Sequence, residues 1–288
     1  MVAKVLGICL IFFHAILIAQ NSTNEDIVIK GKIIDLETTQ PLPYVSIGVM
    51  NKSHGTLTDS VGNFRFKIFQ ENLNDSLNIS MIGFYSKKIA IKEFINSKDF
   101  TIQLSAKSIE LAEVVIWDAK VNTEIIGRQG SGKLVQVSIH NKKSVEETIG
   151  SEMGMRYKTK HPNALLKDFN FYVSANNFKY IKYRLNIYNV KDNMPDTLLC
   201  NKQIFFTVEN YKTGWTNVDL EPYRINVNQD FIITIQWVES SMDKVENPIT
   251  LVPVAITLFS KYCYARVASQ DKWKKMGMNL SNYITLKY

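Results

Sequence analysis

Hydrophobic and polar positions alternate every second residue through most of the chain, in short runs closed by Gly, Pro, Asn or Asp. Residues two apart lie on one face of a strand, so each run predicts a strand with one buried face. The first runs cover residues 27–34, 43–49, 55–59, a strand carrying Phe64 and Phe66 on one face, then 77–82, 87–91 and 100–104. Residues 35–41 form a turn, in which Asp and Thr side chains bond local backbone and Pro41 fixes φ. Asp59-Ser60-Val61-Gly62 is a tighter turn, with Gly62 supplying a backbone conformation that other residues resist. Strands this closely spaced predict a β-sandwich over residues 26–117.

The alternation lapses over residues 118–133, where Gly127, Gly130 and Gly132 cluster, and this stretch reads as a linker. Gly127 to Lys133 has the spacing of a phosphate-binding loop. Leu134 stands where such a loop needs a hydroxyl for magnesium, and residues 134–139 alternate like a strand instead of opening a helix. A glycine-rich turn is therefore expected. Beyond it, residues 145–149 suit a short helix, and strand runs recur at 166–173, 182–188, 203–208, 231–238, 249–258 and 283–288. Pro248 opens one of these runs and Pro253 interrupts it, which predicts an edge strand. Roughly eight strands without long helices predict a jelly-roll-like sandwich over residues 134–288. The expected fold class is all-β, an N-terminal Ig-like sandwich followed by a jelly-roll-like one.

Composition agrees: 13 Tyr and 15 Phe suit pleated, half-buried surfaces. The first residues add a compartment. Lys4, an apolar stretch from Val5 to Ile18, then Ala19 before a polar run read as a signal peptide over residues 1–19. The protein is expected in the periplasm or at the outer cell surface. The apolar stretch is too short for a membrane span, so an integral membrane protein is not expected. In an oxidising compartment Cys200 and Cys263 either form a disulfide or serve as two small buried hydrophobes. The net charge of +7 is spread thinly, with its densest run at Lys272, Lys274 and Lys275. No sequence stripe of Lys and Arg tracks a nucleic-acid backbone, and no nucleic-acid partner is expected.

Three strings carry a family resemblance: Gly31-Lys32-Ile33-Ile34-Asp35, Gln40-Pro41-Leu42-Pro43-Tyr44-Val45-Ser46-Ile47, and Gly55-Thr56-Leu57-Thr58-Asp59-Ser60-Val61-Gly62-Asn63-Phe64. In order and spacing they resemble the carboxypeptidase-like regulatory domain, and residues 109–116 are similar to its exit strand. The resemblance implies a prealbumin-like β-sandwich without catalysis of its own, of the kind at the N-termini of Bacteroidetes surface proteins. The same domain precedes outer-membrane receptors, but the chain after residue 117 is too short for a barrel of that kind.

Catalytic signatures do not emerge. The histidines are His14, His54, His140 and His161, and none has the nearby Glu that a zinc peptidase requires. No serine sits in Gly-x-Ser-x-Gly. Asp219, Glu221, Asp243 and Glu246 lack the spacing of a calcium loop and read as surface charge. No cofactor and no metal are expected. For a ligand, tryptophans are the natural candidates, because an indole face can stack on a sugar ring. Trp237, beside Ile235, reads as core; Trp215 reads as rim packing or contact; Trp273, in the polar stretch 269–275, reads as an exposed contact residue. These observations predict a non-catalytic cell-envelope binding or assembly module that meets a glycan or an envelope protein. The alternatives are a glycan hydrolase with an unmarked carboxylate pair, or a purely structural envelope component.

Overall fold

The computed structural model describes residues 26–97, 99–108, 121–138, 145–241, 249–257 and 261–288. The expected leader, the exit strand at 109–116, His14, His140, Asp243, Glu246 and Pro248 lie outside them. Almost every described element is a strand. The N-terminal strands are β1 (Ile27–Asp35), β2 (Ser46–Val49), β3 (Gly55–Leu57), β4 (Asn63–Ile68), β5 (Ser76–Ser80), β6 (Lys87–Ala90) and β7 (Thr101–Leu104). They form two sheets, ordered β4-β1-β7 and β3-β2-β5-β6. Period-two alternation drives this: Phe64, Phe66 and Ile68 point inward from β4, and Asn63, Arg65 and Lys67 point out. With Ile29, Ile33, Ile47, Leu77 and Ile79 they make one hydrophobic cluster. Each such side chain contributes about 1.5–3 kcal/mol by leaving water. The Asp59 turn forms as expected: its carboxylate accepts the N–H groups of Val61 and Asn63, and Gly62 has φ +79°. A short helix, α1 (Ile91–Asn96), was not predicted; its Ile91 and Phe94 complete the cluster.

The remaining strands are β8 (Thr123–Gly127), β9 (Gln136–Ser138), β10 (Glu152–Tyr157), β11 (Ala164–Val173), β12 (Ala175–Asn176), β13 (Tyr180–Lys191), β14 (Met194–Leu198), β15 (Ile204–Glu209), β16 (Gly214–Asp219), β17 (Asn226–Val227), β18 (Phe231–Ser241), β19 (Thr250–Ile256), β20 (Cys263–Arg266), β21 (Lys274–Met276), β22 (Met278–Leu280) and β23 (Asn282–Lys287). The largest sheet runs β14-β13-β18-β10-β20-β21, with β15 also on β13; a second runs β16-β11-β23-β8, with β17 on β11. A second hydrophobic cluster includes Tyr183, Leu185, Ile233 and Trp237 from the first sheet and Phe169, Phe171, Ile284 and Leu286 from the second. Trp237 is fully buried, as expected.

Two expectations are corrected. The stretch 118–133 is not irregular throughout: Thr123–Gly127 is β8, paired along its length with β23. Strand β19 is not an edge. It pairs with β12 and β9 near its start and with β22 near its end. Pro253 stands opposite Gln136 of β9, and its carbonyl accepts the Ser281 N–H where the partner passes from β12 to β22.

The two sandwiches are in contact. Tyr44 donates its hydroxyl to Glu239 at 2.6 Å, and its backbone carbonyl accepts Arg184 at 3.0 Å. Gln270 binds Asn78 and Ser80 through its side chain and Asn51 through its carbonyl; Ser53 donates to Asp271. Tyr44 takes φ +57°, a costly conformation for a bulky residue, and holds it at the centre of this junction.

Candidate functional site

The outer face of the sheet β16-β11-β23-β8 carries the most ligand-like surface. Register fixes its layout. Trp215 of β16 lies directly opposite Tyr172 of β11. Two residues along, Asn217, Asn170 and Tyr283 stand abreast on β16, β11 and β23. Two residues further come Asp219, Asp168 and Thr285. The face therefore has an aromatic end and a polar, acidic end. The indole of Trp215 meets Tyr172 edge to face at 5.3 Å and Tyr283 at 4.9 Å. All three rings are half-buried, so each keeps a surface open to solvent. A chain of hydrogen bonds orders the polar end: Asn217 donates to Asn170 at 2.9 Å, and Asn170 donates to Asp168 at 2.6 Å. Asp219 accepts the backbone N–H of Glu221, and Glu221 pairs with Lys287. Asp168 and Asp219 are cross-strand neighbours of like charge, an arrangement that destabilises a sheet. Local rules are broken most often where a protein binds or reacts.

Trp273 stands elsewhere, beside the largest sheet, in a stretch that is exposed at Lys272, Lys274 and Lys275 but not throughout. Ser269 and Asp271 are buried, because Gln270 and Asp271 clamp this loop onto the N-terminal sandwich. Trp273 is half-buried. Its ring stacks on the Arg266 guanidinium at 4.4 Å and meets Tyr188 at 5.6 Å. The structure thus does not bring Trp215 and Trp273 together. Tyr172 and Tyr283, the partners that Trp215 does have, were missed. They lie 43 and 68 residues from it in the chain, and only strand pairing makes them neighbours.

A second polar cluster lies inside the molecule. The Glu152 carboxylate is fully buried and accepts hydrogen bonds from Asn186, Tyr188, Thr234 and Arg266. Burial pushes its pKa up, but the Arg266 charge and these donors outweigh that and hold it below the usual carboxylate value. Arg184 beside it bonds Gln236, Tyr44 and Ser46, all neutral. Arg184 carries this network to the junction, and the Glu152 carboxylate at its centre has no exposed surface. Cys200 and Cys263 are free and buried, which decides between the two readings of the pair; burial pushes Cys263 up to about 12. His54 and His161 fall on different sandwiches, packed on Phe69 and Tyr288. Among the described residues no group of three His, Cys, Asp or Glu is placed to hold a metal, and no helix is long and apolar enough to cross a membrane.

Two β-sandwiches in contact, the second with an aromatic sheet face, define an all-β protein of modular type. Residues 29–116 match the family model of the CarboxypepD_reg-like domain. No curated protein matches the chain. Among solved structures it is similar to the cysteine protease and lectin-like domains of Cwp84, a surface-layer-associated protein of Clostridium difficile, at 10% identity and a TM-score of 0.40 over 85% of this chain and 58% of that one. It is also similar to a clostridial Cwp84 cysteine protease after propeptide cleavage, at 10% identity and a TM-score of 0.41 over 93% of this chain and 72% of that one.

Proposed function

We propose that this is an exported, non-catalytic binding module of the cell envelope, and that its second sandwich binds a glycan on the Tyr172–Trp215–Tyr283 face. In this reading residues 1–19 are a leader, residues 26–117 form the first sandwich, and the second begins within residues 118–133, because β8 pairs into it. One observation carries the assignment: three open aromatic rings from three neighbouring strands border a polar row ending in two carboxylates. An aromatic face packs against the C–H surface of a sugar, and amide and carboxylate groups bond its hydroxyls.

A hydrolase places its carboxylates on either side of the scissile bond. Asp168 and Asp219 rise from one sheet face and approach a bound sugar from the same side, so binding fits them better than cleavage. The test is a glycan array with the mature chain from Gln20, its Trp215→Ala variant and, as comparator, Trp273→Ala. Binding that falls roughly tenfold or more in Trp215→Ala and persists in Trp273→Ala is expected. A blank array, equal loss in both variants, or turnover of a bound glycan would overturn the reading.

A further inference from the structure

We infer that the open edge of β8 is an interface for a second copy of this chain, the two copies pairing antiparallel about Ile125. Strand β8 ends the sheet β16-β11-β23-β8, and among the described residues no strand pairs with its outer side. Asn122 and Tyr288 exchange backbone hydrogen bonds at 3.0 and 3.1 Å, and Arg128 donates its N–H to Asn282 at 2.7 Å. Bonded residues alternate along an antiparallel ladder, so Asn122, Glu124, Ile126 and Arg128 bond β23. Thr123, Ile125 and Gly127 therefore turn their N–H and C=O groups away from it, and all three residues are exposed.

An open edge invites pairing, and proteins block it with lysine, other charge or proline. This chain does so elsewhere: β6 ends its sheet with Lys87 and Lys88, and β21 ends the largest with Lys274 and Lys275. Strand β8, Thr123-Glu124-Ile125-Ile126-Gly127, holds no lysine, arginine or proline. It presents Ile125 at 52% exposure instead, and its one charge, Glu124, meets His161 at 3.2 Å. The occupant follows from the symmetry of the edge. The outward groups lie evenly about Ile125, with Thr123 on one side and Gly127 on the other. A twofold axis at Ile125 sets Thr123 of each copy opposite Gly127 of the other, so every outward N–H finds a C=O, and Ile125 packs on its own copy. Glu124 then stands opposite Ile126 of the second copy and diagonal to its Arg128, so opposite charges approach and like charges do not. A strand of this length buries much less than the about 800 Å² per partner of a stable interface, so the dimer is weak and forms at high concentration. Pairing also places both aromatic faces on one side of a continuous sheet, where one polymeric glycan reaches both. That consequence, but not the pairing, rests on the proposed function.

The test is disulfide trapping in the mature chain from Gln20. Directly paired residues of such a ladder have Cα atoms about 5.5 Å apart, within disulfide reach. Ile125→Cys should therefore give a covalent dimer on mild oxidation. Thr123→Cys should not, because residue 123 of one copy stands about 14 Å along the strands from residue 123 of the other. Cys200 and Cys263 are buried, so the wild type should show no cross-link. In sedimentation the wild type should rise toward the mass of a dimer at millimolar concentration. Ile125→Lys, which adds the charge found on β6, should stay a monomer with an unchanged thermal midpoint. No cross-link in Ile125→Cys, equal cross-linking of Thr123→Cys, or a wild type still monomeric at millimolar concentration would overturn the proposal. None of these readouts involves a glycan, so the pairing and the aromatic face fail separately.

Discussion

Glu152 shows what a single buried charge does in this molecule. Its carboxylate is wholly out of water, with Arg266 donating at 2.8 Å and 2.5 Å and three neutral donors filling its other oxygen. A pair of this kind gains little over an apolar replacement of both members, but removing one member strands the other. Glu152→Gln keeps the shape and takes away the carboxylate that Arg266 bonds directly, leaving only the Asp271 charge near it. The expected loss is about 3–5 kcal/mol, read from urea unfolding. A loss below about 1 kcal/mol, the range of an exposed pair, would mean that water reaches the site.

At the scale of elements, β10 is held between β18 and β20 at the centre of the largest sheet. A Cβ on Gly154 would come within 1.9 Å of the Ile233 carbonyl oxygen, so Gly154→Ala has to push two paired strands apart. The expected cost is about 3 kcal/mol, seen as a lower thermal midpoint and faster amide exchange in β10 and β18. An unchanged midpoint would show that the ladder is looser than the register implies. The same strand shows where reading the sequence stopped. Met153, Met155 and Tyr157 alternate like any strand, but Gly154 breaks the polar half of the pattern and β10 went unread. Strand β13 was legible because Ile181, Tyr183, Leu185 and Ile187 keep strict period two. What its alternation does not reveal is that Arg184, Asn186 and Tyr188 are also buried, since the cover comes from strands and loops far away in the chain. Trp215 could be picked from its type and its place after a turn. Its aromatic partners could not, and neither could the open edge of β8. Each depends on which strands lie side by side, and periodicity carries no information about that.

For the whole molecule, the question is over what pH range the two sandwiches stay docked. The polar contacts around Glu239 bear on it: Tyr44 donates its hydroxyl to the carboxylate across the junction, with Lys182 near the Tyr44 ring, and Tyr180 donates to it from within the second sandwich. Partial burial pushes Glu239 up, but the two hydroxyl donors and the Lys182 charge outweigh that and hold it below its ordinary value of 4.5. A depressed carboxylate contributes stability that is complete above its unfolded value and is lost as pH falls through its lower folded value. The hydrogen bond to Glu239, with burial and the carboxylate charge, pushes Tyr180 the other way, up to about 12. That contribution is complete below the ordinary phenol value of 10.0 and fades as pH climbs toward 12. The junction should therefore be secure above about pH 5 and weaken as pH falls below it, while the Tyr180 contact inside the second sandwich weakens above about pH 10. Thermal midpoints of the wild type and Glu239→Gln from pH 3 to pH 8 provide the check. The wild type should lead through the middle of the range, and its advantage should shrink below pH 4.5 as Glu239 takes up a proton. A difference constant from pH 3 to pH 8 would mean that Glu239 does not hold the sandwiches together, leaving Arg184 and Gln270 as the contacts that do.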